Sequence, residues 1–174
     1  MNNAAQELRK RLAGWDRRSK DDIGEIFQDF REAQELSHLL SELLSDAELQ
    51  VGATWLLKRG LESRVLDPPT VGPLIWAHLP ELAAPEARLH VLQIFHRLPI
   101  PGRQKKRAER FVRSCFESPH KFVVAWAYAG FHALADQHPE YREEALQFIA
   151  LGLEDGPAST KARIRNLQAK GFRQ

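Results

Sequence analysis

The 174-residue chain is 43% hydrophobic and 28% charged, a balance typical of a folded protein with a continuous core and unlike that of a disordered chain. It contains no run of about 18 apolar residues, and its first residues lack the apolar segment of a secretory signal, so we expect neither a membrane span nor export. Cys115 is the only cysteine, which excludes an internal disulfide and a cysteine-based zinc site, and these features together favour the cytoplasm.

Charge is distributed unevenly along the chain, although the net charge is only +2. Residues 16–48 hold ten acidic side chains and four basic ones, whereas residues 87–116 hold eight basic side chains against Glu109 alone. Residues 156–174 hold five basic side chains and no acid. Such blocks indicate either an anionic partner or the chance sorting of charges on a solvated helical surface.

The first 45 residues are predicted to form an N-terminal helical cap. Ile23, Phe27 and Phe30 recur at helical spacing, and a stripe of leucines follows, so residues 21–44 should form one long helix or two. The many acids give this segment the polar outer face that the end of a helical stack requires.

Pairs of helices are predicted from residue 46 onward, with prolines at most of the helix starts. The first helices of the pairs begin 39, 34 and 38 residues apart, and the second helices begin 33 and 37 residues apart. The first helices start near Asp46, Pro85, Pro119 and Pro157, and the second helices start near Pro69, Gly102 and Pro139. A loose period of this length, with two helices in each period, indicates an α-solenoid.

The pair in residues 119–156 has the clearest boundaries. Its first helix should bury Phe122 and Trp126 on one face and end at His138, because the residue before a proline disfavours the α conformation. Pro139 should then begin the second helix, and Gly156 should end it as a C-terminal cap.

The segment SPHKFVVAWAYAGFHALADQHPEYREEALQFIALGLEDGPASTKARIRNLQAKG resembles a HEAT repeat: an apolar first helix with small residues, a proline-initiated second helix, an acidic turn and a basic helix after it. The resemblance runs from residue 46 to the C-terminus and implies an all-α, right-handed α-α superhelix of about three HEAT-like pairs in a single domain. A compact all-α bundle is the alternative. The implied order is the cap at 1–45, repeats at 46–84, 85–118 and 119–156, and a C-terminal capping helix at 157–174.

The segment GRQKKRAERFVRSCFES holds the main candidate site. Helical spacing places apolar residues, among them Ala108, Phe111 and Cys115, on one side and cations on the opposite side. The second helices of HEAT-like units line a concave surface, so the resemblance implies that these cations face a groove. We call them the cationic ridge, which consists of Arg103, Lys106, Arg107, Arg110 and Arg113.

A groove lined with cations can bind an acidic protein surface, or bind nucleic acid through the release of counterions. The leading prediction is a non-enzymatic binding or scaffold module that holds a protein partner in its groove. The alternative is non-sequence-specific binding of DNA or RNA through the cationic ridge, which basic residues 161–170 would extend. An acidic cap folded over the ridge would close this surface.

Motifs for catalysis are absent from the sequence. It has no nucleophile elbow, Walker A loop or dinucleotide fingerprint, and Cys115 lies on an apolar face, as a small buried hydrophobe would. Glu35 and His38 have the spacing of half a carboxylate-bridged metal site, but no second pair exists, so we interpret them as surface residues. We therefore predict no metal and no cofactor, and rank an enzyme third.

The repeats also resemble, more weakly, those of bacterial DNA-alkylation-repair glycosylases. This resemblance implies an aspartate four residues after a tryptophan. Here the residues at that offset are Ser19, Arg59, Pro80 and Gly130, so DNA binding is implied without glycosylase chemistry. The tryptophans are Trp15, Trp55, Trp76 and Trp126, of which Trp55 and Trp126 are predicted to pack in the core and Trp15 to lie at the surface.

Overall fold

The computed structural model describes residues 3–33 and 35–169. Within these ranges the chain forms ten α-helices and no strand, which confirms the predicted all-α class. None of these helices is long and apolar enough to cross a membrane. They are α1 Asn3–Ala13, α2 Lys20–Phe30, α3 Leu36–Glu42, α4 Gln50–Glu62, α5 Pro68–His78, α6 Pro85–Ile94, α7 Lys105–Phe116, α8 Lys121–Gln137, α9 Arg142–Glu154 and α10 Ala158–Ala169. Short 3-10 helices occupy Leu43–Ser45, Leu79–Glu81, Phe95–Arg97, Gly102–Gln104 and Pro139–Tyr141.

The segment that was predicted as one helix or two forms two, α2 and α3. Ser19 caps α2, since its hydroxyl oxygen accepts a hydrogen bond from the backbone N–H of Asp22 at 3.1 Å. Just before α3, Glu35 has a left-handed backbone with a φ of 60°. A residue in that conformation cannot continue a right-handed helix, so the chain changes direction there.

Several predicted helix starts lie at or within one residue of the observed ones. α5 begins at Pro68, where the carboxylate of Asp67 accepts the backbone N–H of Thr70 at 3.1 Å. α6 begins at Pro85, and α10 begins one residue after Pro157. Other starts lie further off: α8 begins two residues after Pro119, and 3-10 helices begin at Gly102 and Pro139, so that α7 and α9 start three residues after them. The largest displacement is that of α4, because the carbonyl of Asp46 first closes a separate turn with Leu49, and the helix starts four residues later, at Gln50.

The turn between α9 and α10 requires a glycine because two backbone segments approach closely. The N–H of Gly156 donates to the carbonyl oxygen of Gly152 at 3.2 Å, as expected of a residue just past a helix end. A Cβ atom at position 156 would lie 2.3 Å from that same oxygen, and a backbone atom cannot move aside as a side chain can.

The chain divides into two compact units, Met1–Val91 and Leu92–Gln174. In the first unit α4 packs against α2 and α3, and α3 packs against α5; in the second, α8 lies at the centre and contacts α7, α9 and α10. The described residues of the first unit carry 15 acidic and 11 basic side chains, a net charge of −4; those of the second carry 8 acidic and 12 basic, a net charge of +4.

The core of the second unit is rich in aromatic rings. Phe131 lies 4.9 Å from Phe148 between ring centroids, and Phe116 lies 4.9 Å from Tyr128, both in edge-to-face geometry. The prediction that Phe122 belongs to the buried face of α8 was wrong, since Phe122 is 57% exposed. Residues advance by about 100° along a helix, which places Phe122 about 120° from the middle of the buried face.

The tryptophans also differ from their predicted roles. Trp76 is fully buried, while Trp55 and Trp126, which were predicted to pack inside, are half-buried. Trp15 is half-buried as well, and its indole N–H donates to the carbonyl of Ser19 at 2.8 Å. This hydrogen bond ties the end of α1 to the start of α2.

A half-buried histidine, His90, links α4 to α6 in the first unit. The hydroxyl of Thr54 donates to the carbonyl of Gln50 at 2.7 Å, which leaves Nδ1 of His90 as the donor in the 3.0 Å hydrogen bond to the Thr54 oxygen. Burial, followed by the positive charge of Lys58, lowers the pKa of His90 from 6.5 to about 4. The imidazole is therefore neutral at pH 7.

We expect the substitution Gly156→Ala to lower the free energy of unfolding by about 1–3 kcal/mol, because the new Cβ meets a backbone oxygen. Gly24→Ala in α2 is the matched control: nothing lies within 4 Å of its added Cβ, so helix propensity should stabilise the protein by up to about 1 kcal/mol. Urea unfolding followed by circular dichroism checks both. Equal effects of the two substitutions would contradict this account of the turn.

We expect His90 to make stability depend on pH between about 6.5 and 4. The pKa of His90 is lower in the folded state than in the unfolded chain, so below pH 6.5 the unfolded chain binds a proton at this imidazole while the folded protein does not. The free energy of unfolding therefore decreases as the pH falls from 6.5 to about 4. The loss is of order 3 kcal/mol. Urea unfolding of His90→Gln across this range should show a flatter pH profile.

Thr54→Ser is the control for His90, because it keeps the hydroxyl that contacts the imidazole and removes only a buried methyl group. Thr54→Ser should lower the free energy of unfolding by a similar amount at every pH and should keep the wild-type dependence of stability on pH. A slope that survives in His90→Gln would show that another group causes the acid sensitivity.

Candidate anion-binding surface on α7

Helix α7 buries one face and exposes the other, as its sequence predicts. Ala108, Val112 and Cys115 are fully buried and Phe111 is nearly so, which confirms the prediction that Cys115 packs as a small hydrophobe. These residues hold α7 against α8. The basic side chains extend from the remaining sides of the helix.

The cationic ridge divides into exposed and half-buried members. Arg103 in the 3-10 helix Gly102–Gln104, and Lys106 and Arg110 in α7, are exposed. Arg107 and Arg113 are half-buried. The five predicted cations therefore do not form one uniform surface.

Glu109 is the electrostatic centre of this region. It is only 9% exposed, and its carboxylate accepts hydrogen bonds from Lys106 at 2.8 Å, from Tyr141 at 2.7 Å and from Arg113 at 3.0 Å. Burial alone would raise the pKa of Glu109, but these three donors outweigh it and hold the pKa at about 2. Glu109 is therefore a fully ionised, buried carboxylate.

Arg113 connects α7 to α9. Its guanidinium donates two hydrogen bonds to the two carboxylate oxygens of Glu144, at 2.8 and 2.7 Å, and also contacts Glu109. The bidentate pair with Glu144 is the largest cause of the raised pKa of Arg113. The guanidinium also lies 5.1 Å from the ring centroid of Phe131. These contacts fix Arg113 in the packing between the helices.

A fourth ion pair joins the start of α7 to the segment before α9. Lys105 donates to the carboxylate of Glu140, a contact that raises the pKa of Lys105 and lowers that of Glu140. Three acids, Glu109, Glu140 and Glu144, thus neutralise part of the basic block. Among the residues that the structure describes, Arg103 and Arg110 have no ion-pair partner and carry the charge that stays open to solvent.

Sequence reasoning treated Glu109 as a lone acid in a basic block and missed its central role. Its spacing of three residues from Lys106 and four from Arg113 was a signal for pairing along a helix. The contributions of Tyr141 and Glu144 carried no comparable signal, because they come from more than 30 residues away in the sequence.

The basic C-terminal segment lies in α10. The guanidinium of Arg163 stacks 3.6 Å from the ring centroid of Trp126, and Lys161 donates to the backbone carbonyl of Glu154 at 3.0 Å. Arg165 is exposed, while Lys170 lies outside the described residues. α10 therefore uses two of its cations in packing against the preceding helices.

Glu35 and His38 do not converge. Glu35 precedes α3, while Nε2 of His38 lies 3.6 Å from the carboxylate of Glu42. Across residues 3–33 and 35–169, no three histidine, cysteine or acidic side chains come close enough together to hold a metal ion.

No protein-family model, curated protein or solved structure matches this chain. The resemblance to HEAT repeats and the weaker one to glycosylases therefore stay predictions from the residues.

We expect Glu109→Gln to lower the free energy of unfolding at pH 7 by on the order of 2 kcal/mol, because Lys106 and Arg113 lose a charged acceptor. The pKa of Glu109 is depressed in the folded state, so its contribution is present above pH 4.5 and is lost as the pH falls towards 2. The difference in stability between the wild type and the variant should narrow over that range.

Glu143→Gln on the exposed side of α9 is the matched control, since it removes the same charge where the side chain is exposed. It should change stability by less than about 0.5 kcal/mol. Urea unfolding of both variants at pH 7 and pH 3 tests the pair, and a Glu109→Gln effect as small as that of the control would refute the network.

Proposed function

We propose that this chain is a non-enzymatic binding module, built as a right-handed α-α solenoid, that holds a protein partner with an acidic surface against α7. The observation that carries the proposal is the exposure of Arg103 and Arg110 beside Lys106, which is 72% exposed, in a unit whose described residues carry a net charge of +4. Guanidinium groups pair with carboxylates in a bidentate geometry, so they suit such a partner.

The network around Glu109 supports this proposal because it gives the surface a rigid base. Lys106, which stays largely exposed, is anchored by Glu109, and Arg113 binds α7 to α9. A cation held in place loses less side-chain freedom when a partner binds, which favours affinity.

The solenoid is inferred from the order of the helices. After the N-terminal helices, pairs of helices follow one another with short connections, and α8 contacts the helices on both sides of it in the sequence, α7 and α9. Contact between successive pairs is the defining feature of α-solenoids. The repeat boundaries and the cytoplasmic location stay predictions.

Non-sequence-specific binding of DNA or RNA is the second candidate function. Lys106, Arg103 and Arg110 lie within about two helical turns of one another, close enough to contact neighbouring phosphates of one strand. Binding of this kind weakens steeply as salt concentration rises, because each neutralised phosphate releases counterions. Neither candidate requires a catalytic residue, a metal or a cofactor.

We expect the wild type to bind a fluorescein-labelled polyglutamate peptide, and the double variant Arg103→Gln/Arg110→Gln to bind it about tenfold more weakly, because both exposed guanidinium groups are lost. Fluorescence anisotropy at about 50 and 200 mM salt provides the measurement, with a labelled DNA duplex titrated in parallel. Arg142→Gln, another exposed arginine in the second unit, is the matched control and should bind both probes as the wild type does.

Binding of the duplex with a steep salt dependence, and no binding of the peptide, would replace the first function with the second. If the double variant binds either probe as tightly as the Arg142→Gln control does, α7 is not the binding surface.

A further inference from the structure

An exposed aromatic side chain marks a second surface, on α8. Phe122 is 57% exposed, although burying a phenyl ring stabilises a folded protein. The ammonium group of Lys121 lies 5.3 Å from the centroid of that ring, within the range of a cation–π interaction. The start of α8 therefore presents an aromatic face and a positive charge together.

This surface continues along α8 towards α10. Trp126 follows Phe122 by four residues, so the two side chains are neighbours on the same side of the helix. The guanidinium of Arg163 stacks on the half-buried Trp126 at 3.6 Å. We call these four residues, Lys121, Phe122, Trp126 and Arg163, the aromatic–cation surface.

The composition of this surface points to one class of ligand. Aromatic rings and arginine planes stack on unpaired bases, while neighbouring cations bind the phosphates between them. The four residues include no acid, and the described residues of the unit that contains them carry a net charge of +4, which disfavours a cationic partner. In a duplex the bases already stack on one another inside the helix, so a duplex offers Phe122 no free base.

An exposed apolar side chain is not sufficient to bind a base, because stacking requires an aromatic ring. Leu151 in α9 is 56% exposed, almost the same as Phe122, but it is aliphatic and offers a base no π face. A protein partner could use either residue as an apolar anchor, whereas a base can stack only on the aromatic one. Comparing substitutions of Phe122 and Leu151 therefore distinguishes base stacking from simple apolar contact.

We propose that the aromatic–cation surface binds a single-stranded nucleic acid, with one base stacked on Phe122 and the adjoining phosphates close to Lys121. Arg163, already held on Trp126, offers the outer face of its guanidinium to a second base. None of these residues belongs to the cationic ridge, so this proposal stands or falls separately from the proposed function of α7.

The test is the fluorescence anisotropy of a labelled oligothymidine of about 15 nucleotides, with a duplex of the same length in parallel. Phe122→Ala should weaken binding of the single strand about 5- to 100-fold, in line with the loss of one stacked base, and Phe122→Tyr should restore it. Leu151→Ala should bind as the wild type does. Because both side chains are exposed, circular dichroism should show folded variants throughout.

The proposal is wrong if the wild type does not bind the oligonucleotide, if Phe122→Ala binds it as tightly as Leu151→Ala does, or if the duplex competes equally. It is also wrong if Phe122→Leu restores binding as fully as Phe122→Tyr, because an apolar anchor without stacking would then suffice. The double variant Arg103→Gln/Arg110→Gln separates the two surfaces. Loss of binding in that variant alone would leave the cationic ridge as the nucleic-acid site and exclude the aromatic–cation surface.

Discussion

The buried carboxylate of Glu109 joins α7 to the segment before α9 and so constrains the arrangement of the second unit. A charge removed from water is stable only when donors replace its hydration, and here Lys106, Arg113 and Tyr141 supply them. Because Tyr141 lies before α9 while the two cations lie on α7, the hydrogen bonds also set the distance between these segments. Arg113 extends the constraint to Glu144, and so to α9 itself.

This constraint separates the basic residues of α7 by role. Lys105 and Arg113 pair with acids of the α9 segment and act in packing, whereas Arg103 and Arg110 extend into solvent. The same division recurs on α8 and α10, where Arg163 stacks on Trp126 while Lys121 lies over the exposed ring of Phe122. In both places a cation held by packing, Arg113 or Arg163, lies in the same region as cations that are exposed to solvent. The exposed cations belong to the two proposed binding surfaces.

The sequence predicted the positions of the helices better than it predicted which side chains of each helix are buried. Prolines and glycines act through their own backbone geometry, so the starts of α5 and α6 and the turn at Gly156 could be located from local rules. The start of α4 was placed four residues too early, because a turn closed by the carbonyl of Asp46 and the N–H of Leu49 precedes the helix. Burial was harder to predict: Trp76 proved to be the most buried tryptophan, and Phe122 proved to be exposed.

The sequence by itself determined the all-α class, the starts of α5, α6 and α10, the burial of Cys115 and the concentration of cations on one side of α7, because each follows from residue type and helical period. Only the tertiary structure decided which cations are neutralised. Glu140 and Glu144, which pair with Lys105 and Arg113, lie more than 30 residues further along the chain than those cations. Tyr141 lies as far from Glu109, to which it donates, and helical periodicity carries no information over that distance. Which cations of the α7 region stay exposed is therefore set in part by long-range ion pairs that local patterns do not encode.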